Sequence, residues 1–363
     1  IITALSLWRS FPVIARNSTF AYKGTSPDIR KVGEELGARY IVEGSVRKAG
    51  NRVRVTAQLI NAETGHHIWA ERYDRDLDDI FALQDEITRQ IATIIEPAIE
   101  RTEHQRIAAK PPSDLAAWEF CVRGFAHIYE LTREANEKAR EMFQRAIELD
   151  PQYCRAHTGL AFTYGRDLRF FGAPDRKEWS RLFLDSARRA VALDETDADA
   201  RAMLARYYMN ARRVDDAIAE AKRAVQLNPH SADANNIMGA ALSTASARYE
   251  EGIPWFERAL QLNPSDPQHQ VFAVQLAFAH LGAGRFEIAA KFARDAIRRQ
   301  PDFLEGVVAL AASLGYLGHA EEARTAIQGR EDAAPGLIEQ HVTYAPELKN
   351  CLMGGLRAAG LVE

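Results

Sequence analysis

With 363 residues, 47% of them hydrophobic and 26% charged, the chain has the composition of a folded protein, which excludes wholesale disorder. Its formal charge of −4 supplies no global basic field for nucleic acid or an anionic membrane surface. Three scattered cysteines, Cys121, Cys154 and Cys351, suit neither a disulfide scaffold nor a zinc-ligand spacing, and no apolar run approaches the roughly 18–20 residues of a membrane-spanning helix.

Residues 1–7 read as the interior of an apolar helix with no cap before Ile1, so the chain is expected to be a piece of something longer. Residues 12–16 and 19–22 read as short strand material. Ser26-Pro27-Asp28 has the form of a helix start, Ile29, Val32, Gly33 and Leu36 share one face, and Gly37 ends the helix. A three-strand meander follows. Residues 39–47 lead to the tight-turn pair Gly50-Asn51. Residues 52–60 alternate, with Val53, Val55, Ala57 and Leu59 on one face and Arg52, Arg54, Thr56 and Gln58 on the other. Glu63-Thr64-Gly65 turns the chain into residues 66–74. A long helix is expected over 80–105, striped by Ile80, Leu83, Ile87, Ile91, Ile94 and Ile95. This is an α/β domain with an antiparallel sheet covered by helices, and its thin sheet predicts a further strand before Ile1.

Four features here invite a functional reading that simpler physics covers. Arg47, Lys48, Arg52 and Arg54 cluster on one hairpin, as a solvated outer face does. His66 and His67 are adjacent strand residues and point to opposite faces, so they do not share a metal ion. Asp74, Asp76, Asp78 and Asp79 lack the glycine and terminal glutamate of a calcium loop and read as a helix-start cluster. Glu103-His104 reads as surface decoration of a helix.

Three stretches carry a resemblance: residues 11–24 (FPVIARNSTFAYKG), 35–47 (ELGARYIVEGSVR) and 58–75 (QLINAETGHHIWAERYDR). Together they resemble the TolB-amino-terminal-like domain of bacterial signalling proteins, over nearly all of residues 1–106. The resemblance implies an upstream class III adenylate/guanylate cyclase domain or winged-helix DNA-binding domain, and a helical repeat array downstream. The family's opening strand is absent, consistent with truncation, and the module brings no catalytic residue.

Beyond residue 106 the texture changes. Residues 1–106 hold 11 alanines and residues 107–363 hold 49, and alanine favours helices that approach closely. Pro111-Pro112 at the junction stop the preceding helix, and Ser113 or Asp114 can cap the next. A phrase then recurs: RAIELDP (145–151), RAVALDE (189–195), RAVQLNP (223–229), RALQLNP (258–264) and DAIRRQP (295–301), at spacings of 44, 34, 35 and 37. A period near 34 with a closing proline is the tetratricopeptide signature, each repeat being a helix pair. Five clear pairs and a sixth over 304–329 are expected. Residues 166–180 form an insertion, conspicuous for Phe170, Phe171 and Trp179, which reads as a packed inter-helix loop. Residues 346–361 read as a terminal amphipathic helix with Leu348, Leu352, Leu356 and Leu361 inward, as an array needs. The domain reading is therefore a truncated α/β domain over 1–106, an all-α tetratricopeptide superhelix over 107–345, and a capping helix over 346–363.

Such arrays seat extended peptides or partner helices against the first helix of each pair. The columns that would form a lysine/asparagine carboxylate clamp hold Thr158, Ala202 and Asn236, then Phe162, Arg206 and Ala240, with no lysine, which disfavours chaperone-tail binding. The expected groove liners are Thr158, Phe162, Arg206, Met209, Asn210, Asn236, Ser243 and Thr244. Their occupant is expected to be a protein or peptide partner, or part of the chain's own N-terminal domain. No phosphate loop, nucleophile elbow, zinc-binding helix or cyclase metal-aspartate unit can be found, so no catalytic residue, cofactor or metal is expected. The chain reads as the non-catalytic interaction part of a bacterial signalling protein attached to a nucleotide cyclase. The alternatives are the regulatory part of a winged-helix regulator, or an envelope assembly scaffold. The expected compartment is the cytoplasm, or the periplasmic side of the inner membrane if a preceding segment carries an anchor.

Overall fold

The computed structural model describes residues 2–7, 13–19, 22, 27–76, 87–88, 90–91, 93–95, 98–99, 101–103, 116–263, 266–341 and 343–362. The chain divides into two units, Ile1–Lys110 and Pro111–Glu363.

In the first unit, helix α1 (Ile29–Leu36) starts where the Asp28 carboxylate accepts the Arg30 N–H at 3.0 Å and stops at Gly37 in the left-handed region. Strands β1 (Tyr40–Ala49), β2 (Arg52–Asn61) and β3 (His67–Asp76) form one antiparallel sheet in the order β1-β2-β3. The β1–β2 register runs from Ala49 opposite Arg52, across the Gly50-Asn51 turn, to Tyr40 opposite Asn61. Val53, Ala57 and Leu59 are buried in one cluster with Tyr73 of β3 and with Ile87, Ile91 and Ile95, so the alternation in β2 and the isoleucine stripe meet in a core. Arg47, Lys48, Arg52 and Arg54 are exposed.

Several elements depart from the sequence reading. Arg16–Thr19 is one helical turn rather than strand material, and Ile2–Leu5 is likewise a single turn. Asp74 and Asp76 lie within β3 instead of a helix start, because Arg54 on the neighbouring strand binds Asp74 at 2.6 Å and holds it in the ladder. Glu103 is buried rather than decorative. It accepts hydrogen bonds from Arg39 Nη1 at 3.1 Å and from the Tyr40 hydroxyl. Ile80, Leu83, Asp78, Asp79 and His104 lie outside the described residues.

The second unit is a tetratricopeptide superhelix. Its pairs are α2 (Ala117–Tyr129) with α3 (Arg133–Leu149), α4 (Cys154–Arg166) with α5 (Arg176–Leu193), and α6 (Ala198–Asn210) with α7 (Val214–Leu227). Then come α8 (Ala232–Leu242) with α9 (Tyr249–Leu262), α10 (His269–Gly282) with α11 (Phe286–Arg299), and α12 (Leu304–Tyr316) with α13 (Ala320–Ile327). Two further helices, α14 (Ala333–Gln340) and α15 (Pro346–Ala358), follow the sixth pair. Among the described residues no helix is long and apolar enough to cross a membrane.

The pairs nest through a size complementarity. Phe143, Phe183 and Phe256 on second helices are fully buried, each against a glycine on a first helix. A Cβ on Gly159 would stand 2.2 Å from the Phe143 ring, one on Gly165 2.9 Å from Phe183, and one on Gly239 2.8 Å from Phe256. Ala217, Ala221 and Ala224 are wholly buried along α7, as the repeat alignment predicts. The expected insertion is not a loop. Helix α4 runs on into a π-helical stretch, Asp167–Phe171, held by the Asp167 carboxylate, which accepts from Asn136 Nδ2 at 2.8 Å, from Trp179 Nε1 at 2.8 Å and from Arg140. Satisfying a buried carboxylate with three donors fixes a stretch that repeat spacing alone leaves open.

At the far end, Leu348, Leu352 and Leu356 of α15 are wholly buried. The backbones of α12 and α15 approach so closely that a Cβ on Gly315 would lie 1.9 Å from the Gly355 carbonyl oxygen. Replacing Gly315→Ala is expected to lower stability by about 1–3 kcal/mol through overpacking, measured by urea unfolding. An unchanged midpoint would mean that α15 does not dock at this distance.

Candidate functional site

Four residues separate Phe162 from Arg166, Arg206 from Asn210 and Val271 from Gln275 on the first helices α4, α6 and α10, and Ala240 of α8 from Thr244 in the turn that follows it. The repeat period stacks these pairs into columns on the inner face of the superhelix. They line a cavity of about 20 Å³ together with Gly165, Arg169, Phe170, Met209, Gln268 and Thr343. Five expected liners are therefore together there: Phe162, Arg206, Met209, Asn210 and Thr244. The other three are placed elsewhere. Thr158 sits one turn before Phe162 with its hydroxyl bonded to Cys154 O at 3.3 Å. Asn236 sits one turn before Ala240, buried, with Oδ1 lacking a partner. Ser243 faces α9, its Oγ 2.6 Å from where a Gly252 Cβ would be, so it packs between helices rather than lining the groove.

Sequence reasoning misses the arginines that matter most. Arg166 lies in the same column as Asn210 and Thr244, a signal present in the four-residue step, but the insertion reading claims it. Arg169 reaches the interior only because the π-helical stretch carries it there. Its Nη2 donates to Glu305 Oε1 of α12 at 3.1 Å, across 136 residues of chain, and both side chains are nearly inaccessible. Arg206 pairs with Asp233 at 3.0 Å, and the Arg166 and Arg206 guanidinium carbons stand 4.9 and 5.1 Å from the centre of the Phe162 ring.

His341, Thr343, Tyr344 and Ala345, between α14 and α15, reach this groove and its wall. His341 Nε2 is 3.1 Å from Glu305 Oε1 and 3.0 Å from Arg169 Nε, its Nδ1 is 3.0 Å from Thr343 Oγ1, and its ring stacks on Tyr344 at 3.6 Å. The Tyr344 hydroxyl donates to Glu305 Oε1 at 2.7 Å. Arg212 Nη1 donates to the carbonyls of Thr343 and Tyr344 at 3.3 and 3.1 Å, and the Ala345 N–H donates to Thr244 O at 2.7 Å. A strap of the chain's own C-terminal region therefore occupies part of the concave face, a third kind of occupant beside the two expected from the sequence. Burial, with Arg169 adding to it and the Glu305 hydrogen bond opposing it, pushes the His341 imidazole down to about 4. Burial would raise Glu305, but Arg169, His341 and Tyr344 outweigh it and hold the carboxyl at about 2.

Residues 202–267 and 125–153 match models of the tetratricopeptide repeat family. The chain is 42% identical over 220 residues to "Putative adenylate cyclase 3" of Rhizobium meliloti (strain 1021), a match spanning 60% of this chain and 37% of that protein. Among solved structures it is similar to a thermophilic TPR protein of Thermus thermophilus, at 20% identity and a TM-score of 0.44, over 55% of this chain and 99% of the other. It is also similar to the APC/C hetero-tetramer Cut9-Hcn1, at 14% identity and a TM-score of 0.49, over 71% of this chain and 45% of the other.

The strap's polar anchor carries a pH dependence of known sign. An imidazole whose pKa is depressed on folding leaves the unfolded chain to take up a proton first as pH falls. Stability is then fully present above about pH 6.5 and declines as pH drops toward 4, with a slope of at most about 1.4 kcal/mol per pH unit for one proton. The Glu305 contribution is lost at still lower pH, in the same direction. His341→Gln is expected to flatten the slope between pH 6.5 and 4 in chemical unfolding series; the same slope in both proteins would remove His341 as its source.

Proposed function

We propose that this chain is the non-catalytic, protein-binding regulatory part of a bacterial signalling protein whose catalytic domain is a nucleotide cyclase. The observation that carries this reading is the 42% identity over 220 residues with a relative named for adenylate cyclase activity. The tetratricopeptide superhelix supports it in kind, because stacked helix pairs offer an extended concave surface for polypeptide segments. On this reading the first unit is the TolB-amino-terminal-like module that the sequence resembles, and the chain works in the cytoplasm, where a cyclase finds its nucleotide. The groove would seat a protein segment over Phe162, Arg206, Met209, Asn210 and Thr244, and such a segment must displace the strap or lie beside it. Thr158 and Asn236, one turn before Phe162 and Ala240, would flank that segment.

The chain alone is expected to form no cyclic AMP from ATP and magnesium. The full-length parent protein is expected to form it, with an output that changes several-fold in Arg206→Met, a variant that retains most of the stem packed on Phe162 while removing the charge. Cyclic AMP formation by the isolated chain would overturn the non-catalytic reading. A parent without cyclase activity, or one indifferent to Arg206→Met, would overturn the regulatory one.

A further inference from the structure

The strap between α14 and α15 is fastened in two chemically different ways. One set of bonds uses only its main chain. Arg212, in the turn between α6 and α7, donates from Nη1 to the Thr343 and Tyr344 carbonyls at 3.3 and 3.1 Å, and Thr244 O accepts the Ala345 N–H at 2.7 Å. Two successive carbonyls and an N–H are offered by a polypeptide of almost any sequence, and Arg212 is exposed, within reach of a second chain. The other set is selective. The Tyr344 hydroxyl donates to Glu305 Oε1 at 2.7 Å, and its ring meets Phe278 edge-on at 5.3 Å, so the wall takes an aromatic ring with a donor at its tip. Together these groups form a seat for polypeptide, and the chain fills it with its own residues.

The seat can empty without the fold coming apart. Leu348, Leu352 and Leu356 bury α15 in the core of the array, and Ile338 does the same for α14. Each flanking helix is thus anchored by its own side chains, and the link between them can bow away from the wall while both stay docked. A link held at both ends competes with an incoming segment as an intramolecular ligand, at high effective concentration.

We infer that the strap is an autoinhibitory self-ligand, and that the wall made by Arg212, Thr244 and Glu305 seats a non-helical, tyrosine-bearing segment of the partner protein. The carbonyls of that segment replace those of Thr343 and Tyr344 on Arg212, and its tyrosine replaces Tyr344 on Glu305. The inference rests on the protein-binding reading above and commits it to displacement of the strap rather than binding beside it. Apparent affinity for the segment is then scaled down by the small fraction of molecules whose strap is open, so a weakened strap raises affinity without any new contact.

The test is fluorescence anisotropy of a labelled peptide, EQHVTYAPE (residues 339–347), titrated with the chain. Tyr344→Phe keeps the ring and removes the strap's donor to Glu305, so the tyrosine of the peptide takes the seat. This variant is expected to bind the peptide about tenfold tighter than wild type, as one hydrogen bond to a charged acceptor implies. Adding Arg212→Gly is expected to reverse the gain, and a peptide with phenylalanine in place of tyrosine is expected to show none. Glycine suits the backbone there, since Arg212 has a φ of 58°, so the loss reports the guanidinium. In Arg212→Gly alone, amide exchange at Ala345 is expected to speed up about tenfold while the α8 core amides keep their rates. Equal peptide affinity for wild type and Tyr344→Phe, a gain that survives Arg212→Gly, or unchanged exchange at Ala345 overturns the proposal. These readouts need neither the parent protein nor cyclic AMP, so a parent indifferent to Arg206→Met contradicts the regulatory reading and leaves the self-ligand standing.

Discussion

A phenylalanine on one helix can lie flat against the next only where the facing residue has no side chain, and the superhelix is built on that constraint. Phe143 fills the space opened by Gly124 and Gly159, Phe183 that of Gly165, and Phe256 that of Gly239. The alanines along α7 and α11 are buried to the same degree. Close approach at these points leaves the helices little freedom to slide, because a packed interior resists changes of even one methylene. Each pair therefore adds a fixed rotation, and the direction of the inner face follows from residues that never touch it.

That fixed rotation brings Arg169 of the second pair to Glu305 of the sixth. An ion pair between repeats so far apart in sequence exists only because the array curves back, and it turns a surface that could have been an open trough into one with a crossbar. Glu305 is the hub: Arg169, His341 and the Tyr344 hydroxyl all converge on its Oε1. The strap between α14 and α15 is thereby fastened at one end to this hub and at the other to Thr244 O through the Ala345 N–H. A buried carboxylate with several donors is stable where a lone one would not be, so the crossbar and the strap depend on each other.

The repeats are legible in the sequence because a period near 34 and a closing proline mark each unit in a way tertiary context cannot disguise. The same period locates Phe162, Arg206, Met209, Asn210 and Thr244 on the inner face. It fails for Ser243, which is one residue away from Thr244 and so points roughly 100° round the helix, into α9. Arg169 is illegible because the π-helical stretch changes the angular phase, and no local signal announces that its anchor, Asp167, has Asn136, Arg140 and Trp179 for partners. Thr343 and Tyr344 lie beyond the repeats, where periodicity says nothing. In the first unit the β2 alternation predicts its core face. The acidic cluster after it misleads because a cross-strand arginine, Arg54, is invisible to a reading of charge spacing along the chain.

The central claim is that the concave face is held partly closed by the chain's own strap. Amide hydrogen exchange at Ala345 measures it most directly, since this N–H is bonded to Thr244 O only if the strap lies against the turn that follows α8. The account predicts exchange at Ala345 slowed to the range of the α8 core amides, within native buffer near neutral pH. Exchange at the rate of an unprotected backbone amide would contradict it and leave the groove open along its length.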